Sequence, residues 1–230
     1  MSTTPRNARD FVGGWTYESS AEPVLSAKPG PLERVLSVHA EQKPRERVVL
    51  YALVFALAPR RCLEIGVRFG GGTRIIAAAL RDLAEAGHEA RLACVDPAPE
   101  PDFDWDAELG DLATLIREPS PDALPAAREA LGGAVDFAFV DGNHDEGPTR
   151  ADLKGVRDVA ADDAVVLCHD AYHEPVQRAI HSVVTRGWYQ DCGMVCTTRN
   201  PGRFVEPDKP VTYGGVRMLR VRRTSRAGND

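Results

Sequence analysis

No apolar run in this chain is long enough to span a bilayer. The longest, VVLYALVFALA at 48–58, falls well short of the roughly 20 residues that a crossing helix needs. The N-terminal MSTTPRNARD has no apolar segment of the kind that opens a secretory signal, so a cytoplasmic location is expected and no membrane partner. Excess positive charge is also lacking. The 28 Lys and Arg face 34 Asp and Glu, for a net charge of -6 and a pI near 5.6, whereas a nucleic-acid partner would require a basic face. Cysteine is sparse and odd in number, with five residues scattered among apolar segments, which predicts reduced, buried thiols rather than a disulfide framework. Cys192 and Cys196 stand in CxxxC spacing and are read as structural thiols ahead of a metal site. There is no internal repeat. What is present is 230 residues with 43% hydrophobic content, enough for one sizeable core and a small-molecule partner.

Residues 1–44 read as an N-terminal arm and helical lid, 45–222 as the main domain and 223–230 as a frayed polar tail. The first thirty residues are rich in Pro, Gly and Ser, with Phe11, Trp15 and Tyr17 as isolated aromatics. A helix is expected over about 31–42. Pro44 then opens a second one, whose nearly continuous apolar positions to Ala58 predict a buried helix. From Arg61 the pattern alternates: RCLEI, a helix from Thr73 to about Ala86, ARLACV, a helix after Pro121, VDFAFV, a helix after Pro148, AVVLC and a helix after Pro175. Short apolar runs of this kind are strands covered on both faces. Their alternation with helices predicts an α/β, doubly wound, mostly parallel sheet. The segments around CGMVCTT and YGGVRMLRVRR read as a final pair of strands.

In an open parallel sheet, ligands gather outside the carboxyl ends of the strands, where strand order reverses. The residues at those ends are Glu64 to Gly72, Asp96, Asp141 to His144, and His169 with Asp170, an acidic rim that also bears histidine. The turn CLEIGVRFGGGTR at 62–74 begins with a carboxylate and contains no lysine. A P-loop needs that lysine on its phosphates; here Gly66, Gly71 and Thr73 fit, but Gly72 stands at the lysine position. The dinucleotide fingerprint fails as well, because Arg68 lies two positions after Gly66 where a second glycine belongs. A third pattern, acid-x-Gly-x-x-x-Gly after one strand and an acid after the next, matches Glu64, Gly66, Gly70 and Asp96. It resembles the S-adenosylmethionine-binding motif of class I methyltransferases. That cofactor carries a sulfonium, an ammonium and a carboxylate but no phosphate, which suits an acidic turn with close backbone approach.

The segments FAFVDGNHDEGPTRADL at 137–153 and VVLCHDAYHEPVQRAI at 165–180 resemble the DG-x-H, E-G, D-L and H-D series of a bacterial methyltransferase family related to sugar and natural-product O-methyltransferases. The resemblance covers residues 45–222. It implies a seven-stranded Rossmann-like sheet with helices on both faces and an antiparallel last strand, S-adenosylmethionine as cofactor, and a small hydroxylated acceptor. The cofactor site it implies comprises Glu64, Gly66, Gly70, Gly71, Thr73, Asp96, Ser120 and Asp141. Asp96 would accept from the ribose hydroxyls, and Ser120 would lie near the adenine, although EPS at 118–120 stands where the family has GDS.

Metal-dependent relatives hold magnesium with a carboxylate after strand four and a pair after strand five, which points to Asp141, His169 and Asp170. Imidazole departs from the oxygen ligands magnesium prefers and brings Mn²⁺ within reach, so a divalent metal (Mg or Mn) and its absence both stay open. Asn143 stands where related sugar methyltransferases have an acid, and an amide is no base. The catalytic candidates are Asp141, His144 as first base and His169 as second, with His173 third; a bracing role for His144 stays open. Asp152 is expected to face solvent or a basic neighbour. The run DFDWDAE at 102–108 fails as an EF-hand, with Ala107 in the glycine position and Ala113 in that of the bidentate glutamate; it reads as a solvated loop with Trp105 at a pocket wall. Two further classes stay open, a nicotinamide-dependent (NAD) oxidoreductase on a Rossmann-like fold and a protein that binds the cofactor without methyl transfer. A homodimer is open too.

Overall fold

A computed structural model describes residues 30–201 and 211–222. The expected aromatic arm before residue 30, the segment 202–210 and the polar tail at 223–230 lie outside the described residues. In chain order the elements are α1 (Pro31–Ser37), α2 (Pro44–Leu57), β1 (Arg61–Ile65), α3 (Gly71–Glu85), β2 (Arg91–Val95), α4 (Trp105–Leu109), β3 (Ala113–Ile116), α5 (Leu124–Ala130), β4 (Val135–Val140), α6 (Glu146–Val159), β5 (Ala160–Cys168), α7 (Glu174–Thr185), β6 (Tyr189–Cys196), β7 (Asn200–Pro201), β8 (Thr212–Tyr213) and β9 (Val216–Val221). Seven strands form one sheet in the order β3-β2-β1-β4-β5-β9-β6, and β7 pairs with β8 apart from it. β1 to β5 run parallel, and β9 is antiparallel to both β5 and β6. This is the expected doubly wound sheet.

The apolar runs of β1, β2 and β4 follow from coverage on both faces. One core joins Leu63, Ala93, Ala138 and Val166 to α5, α6 and α7; the other joins Cys62, Cys94, Phe137 and Leu167 to α2 and α3. β3, to which the sequence pattern assigned no residues, is the short segment ATLI at the sheet edge, only its first residue buried. Its four residues, with the exposed Thr114 among them, make a shorter apolar run than those of the other strands.

α2 departs from expectation. Its first position is Pro44, and the Glu46 side chain accepts from the Lys43 N–H at 2.7 Å, closing the first turn. Leu50, Tyr51 and Val54 are buried, but Phe55 and Leu57 are 46% and 45% exposed. The helix rests one face on α3 and is not enclosed. Four of the five cysteines are buried free thiols, and Cys192 is exposed. No helix among the described residues is long and apolar enough to cross a membrane.

Strand order reverses between β1 and β4, with β2 on one side and β4 on the other of β1. Backbone bonds step the strand ends together: Gly66 N–H donates to Val95 O (2.9 Å), Asp141 N–H to Ile65 O (2.8 Å) and His169 N–H to Val140 O (3.0 Å). The residues just past β1, β2, β4 and β5 therefore share one rim.

Candidate active site

A cleft of about 1220 Å³ opens on that rim. Gly66, in the left-handed region at φ 89°, forms its floor; a Cβ there would overlap the Asp141 carbonyl, so only glycine lets the β1 turn lie against the end of β4. Gly66→Ala is expected to weaken S-adenosylhomocysteine binding by about tenfold or more, measured by calorimetry. Gly71, Asp96, Ser120 and Asp141 line the cleft beside Gly66. Asp96 Oδ2 accepts from the N–H groups of Val67 (2.8 Å) and Arg68 (2.9 Å), and its Oδ1 from Ala98 N–H (2.8 Å). The carboxylate thus fixes the glycine-rich turn while standing on the cleft wall.

Glu64, Gly70 and Thr73, also expected at the cofactor, are not on the wall. Glu64 is 1% exposed and accepts from the Thr73 hydroxyl beneath α3; a Cβ on Gly72 would overlap its Oε1. Burial pushes its carboxyl up to about 8, more than its Thr73 bond lowers it. It is therefore a neutral brace of the turn near pH 7. Gly70, at φ 81°, packs against Phe103.

The other half of the cleft holds an acid–imidazole cluster. Ligating atoms of Asp141, His144 and Asp170 all lie within 4.8 Å of one another. His144 Nε2 stands 2.9 Å from Asp170 Oδ2 and 3.5 Å from Asp141 Oδ1, without lining up on either as a hydrogen bond. Burial alone would lower the His144 pKa, but the two carboxylates outweigh it and raise it to about 10. A protonated imidazole accepts no proton and offers no lone pair, so His144 is no base in this arrangement and would ligate a cation only by releasing its proton.

His169, expected as ligand and second base, is 7% exposed and engaged on both sides. Its Nδ1 donates to Asp141 Oδ1 (3.0 Å) and its Nε2 to Glu46 Oε2 (3.2 Å). Burial opposes its charge, but the Asp141 carboxylate and the bonds to Asp141, Asp170 and Glu46 raise its pKa well above the ordinary value. With both nitrogens donating it has no lone pair for a metal or a proton. The geometric ligand set is accordingly Asp141, His144 and Asp170.

Two residues of the cluster were not singled out in the sequence. Glu46 Oε1 accepts from Gly215 N–H (2.7 Å), which ties α2 to the glycine pair before β9. Gln42 Nε2 donates to Asp141 Oδ2 (2.6 Å), while its Oε1 is buried without a partner. The phase of α2 carries a signal for Glu46, which shares the buried face with Leu50 and Val54 at i+4 and i+8. Gln42 lies in a loop and has none.

Residues 63–171 match a family model described as a methyltransferase domain. The match falls on the segment whose motifs resemble the S-adenosylmethionine-dependent class I. The chain is 18% identical to the O-methyltransferase from Bacillus cereus solved in complex with S-adenosylhomocysteine, over 86% of this chain and 94% of that one, with a TM-score of 0.61. It is also 18% identical to the O-methyltransferase TomG from Streptomyces achromogenes, involved in tomaymycin synthesis and solved with S-adenosylmethionine, over 86% and 92% of the two chains, with a TM-score of 0.57. At this identity the likeness shows the fold. No curated protein matches the chain.

Other expectations shift with the geometry. Asp152 does not face solvent: it is 4% exposed in the cleft wall, on the same face of α6 as Leu153 and Val156. Trp105 is not at the cleft; it stacks on Phe103 with ring centroids 5.9 Å apart and donates to Ala113 O at 3.3 Å. His173, the third candidate base, stacks on Tyr213 at 4.6 Å, and burial with the nearby His144 lowers its pKa. Asn200 and Tyr213 line the cleft, as does the loop at 40–43 that the expected lid contributes.

Proposed function

We propose that the chain transfers the methyl group of S-adenosylmethionine to a hydroxyl oxygen of a small acceptor, at a site that holds a divalent cation on Asp141, His144 and Asp170. The convergence of these three side chains beside the Gly66 turn is the observation that carries the reading. The cofactor fits the other half: the Gly66 backbone leaves space that a Cβ would fill, and Asp96 suits the ribose hydroxyls. The donor set fits a cation as well. Two carboxylates and an imidazole nitrogen face one point, and the outer partners that orient them are in place: Gln42 and His169 on Asp141, and Gly214 N–H on Asp170 Oδ1 at 2.5 Å. The imidazole favours Mn²⁺ over Mg²⁺.

A bound cation supplies Lewis acidity that lowers the pKa of a hydroxyl at the site. The rest belongs to the chain. Asp141 and Asp170 concentrate negative charge at the acceptor end, and the imidazolium of His169, held by Glu46, keeps Asp141 oriented. Asn200 and Tyr213 wall the acceptor, so that its oxygen can approach the methyl carbon in line. The O-methyltransferases from Bacillus cereus and Streptomyces achromogenes share the fold and support oxygen as the acceptor atom.

Calorimetry with S-adenosylhomocysteine and with NAD tests the cofactor half, and methyl transfer to a panel of phenols, sugars and hydroxy acids, before and after EDTA, tests the other. Micromolar binding of the homocysteine compound alone is expected, with turnover lost on EDTA and restored by Mn²⁺. Binding of NAD alone, or turnover indifferent to EDTA, would sink the corresponding half.

A further inference from the structure

Each oxygen of Asp141 is held by a different side chain. His169, itself held by Glu46, donates to Oδ1, and Gln42 donates to Oδ2. Gln42 has no such second anchor. Its Oε1 is buried without a partner, so the side chain takes its aim from the backbone that carries it. That backbone, residues 38–42 between α1 and α2, is neither helix nor strand. The carbonyls of Val38, Ala40 and Gln42 enter no backbone–backbone hydrogen bond among the described residues, yet carbonyls in a packed loop need donors.

One guanidinium supplies them. Arg47, the residue after Glu46 on α2, is half-buried. Its Nε donates to Gln42 O (2.6 Å), one terminal nitrogen to Val38 O (2.6 Å) and Leu36 O (3.2 Å), and the other to Ala40 O (2.7 Å). Every second carbonyl from 36 to 42 thus turns to the same point. A planar fork with N–H groups on three nitrogens spans them, whereas a lysine has all its donors on one atom. Burial lowers the Arg47 pKa, and the carbonyl dipoles stand where a counter-ion would. The far side of the loop is seated as closely: a Cβ on Gly71, at the start of α3, would overlap Ala40 and stand 2.9 Å from His39 O.

We propose that Arg47 is a positioning residue: by shaping residues 36–42 it aims Gln42, and through Gln42 the Asp141 carboxylate, a role that rests for methyl transfer on the cation site proposed above. Adjacent residues in the first turn of α2 then set the two oxygens of one acid. Glu46 acts through His169 on Oδ1, and Arg47 through Gln42 on Oδ2. Outer partners of this kind fix the direction in which a ligating carboxylate faces. The start of α2 is thereby coupled to the end of β4, although no side chain of α2 touches Asp141 through Gln42 directly: the link runs through the main chain of the loop.

The test is a double-mutant cycle on the full chain. It is read by Mn²⁺ affinity and by the Nδ1 proton resonance of His169, which reports on Asp141 Oδ1 without metal, cofactor or acceptor. Gln42→Leu and Arg47→Lys should each weaken Mn²⁺ binding about tenfold or more and shift the His169 resonance in the same direction. The double variant should bind Mn²⁺ no more weakly than Gln42→Leu, because Arg47 acts through that side chain. Losses that add, to about 100-fold or more in the double variant, would overturn the proposal. So would an Arg47→Lys chain with a lowered melting temperature but wild-type Mn²⁺ affinity, since the guanidinium would then merely brace the loop. If Arg47→Lys does not fold, Gln42→Leu decides: an unchanged resonance and affinity mean that Asp141 is aimed without Gln42, and the proposal fails. A wild-type chain that binds no Mn²⁺ would instead remove the cation site, and the His169 resonance then decides for Arg47. A shift shared by both single variants and no larger in the double supports the role; a resonance unmoved in either overturns it.

Discussion

Asp170→Asn is expected to lower methyl transfer roughly 100-fold while leaving S-adenosylhomocysteine affinity within about threefold. The substitution isolates charge from shape. Asp170 sits at φ 50°, in the left-handed region that asparagine tolerates better than other residues with a Cβ. Its Oδ1 accepts from Gly214 N–H at 2.5 Å, and the amide oxygen of asparagine can keep that bond. What is lost is one of the two carboxylates facing His144 Nε2. Its removal weakens any divalent cation held there and also lets the His144 pKa fall from its raised value, because the Asp170 charge and contact contribute to the rise. Manganese affinity measured with and without the substitution should fall in step with turnover. If turnover survives, the acid pair does not serve the chemistry. If cofactor affinity falls as far as turnover, Asp170 belongs to the cofactor half of the cleft.

The sequence revealed most where local composition reports global position. β1, β2 and β4 are covered on both faces and read as apolar runs, and the residues just after them had to lie on the rim; Gly66, Asp96 and Asp141 are found there. β3 was illegible because its four residues, interrupted by the exposed Thr114, make too short an apolar run to mark a strand. Pairings across long separations were illegible for a different reason. Glu46 and His169 stand 123 positions apart, and nothing local to either marks the other, so His169 looked like a free ligand and His144 like a free base. Asp152 was misread through charge alone. Its spacing from Leu153 and Val156 puts it on the apolar face of α6, and phase would have outweighed charge had it been weighed first. Glu64 was legible only in part: a position at the end of a strand says that a side chain is near the rim, not which side of the turn it occupies.

Two buried glutamates should respond to the same substitution with opposite sign. Glu46 and Glu64 are each 1% exposed, but only Glu46 has a cationic partner. Burial would raise its pKa, yet the bond and charge of His169 and the N–H groups of Lys43 and Gly215 more than offset this and lower it. A carboxyl depressed in the folded state contributes stability above its unfolded pKa and loses it as pH falls through the folded value. Glu46→Gln should therefore cost about 3 kcal/mol at pH 7, since it removes the buried counter-charge on the Nε2 side of His169 and leaves only Asp141 and Asp170 on the other. Glu64 has no cation, and burial raises its carboxyl from 4.5 to about 8. Between those values the folded state binds the proton that the unfolded state has released, so stability falls as pH rises across this window, by at most about 1.4 kcal/mol per pH unit. Glu64→Gln removes the penalty and keeps an oxygen for the Thr73 hydroxyl, giving a gain on the order of 2 kcal/mol at pH 8 and little change at pH 5. Urea denaturation of both variants at pH 5, 7 and 8 reads the two signs. A loss at pH 8 in Glu64→Gln would mean that Glu64 is ionised in the folded chain and that the glycine-rich turn rests on a charge; an unchanged Glu46→Gln would mean that His169 is neutral and free to serve as the base.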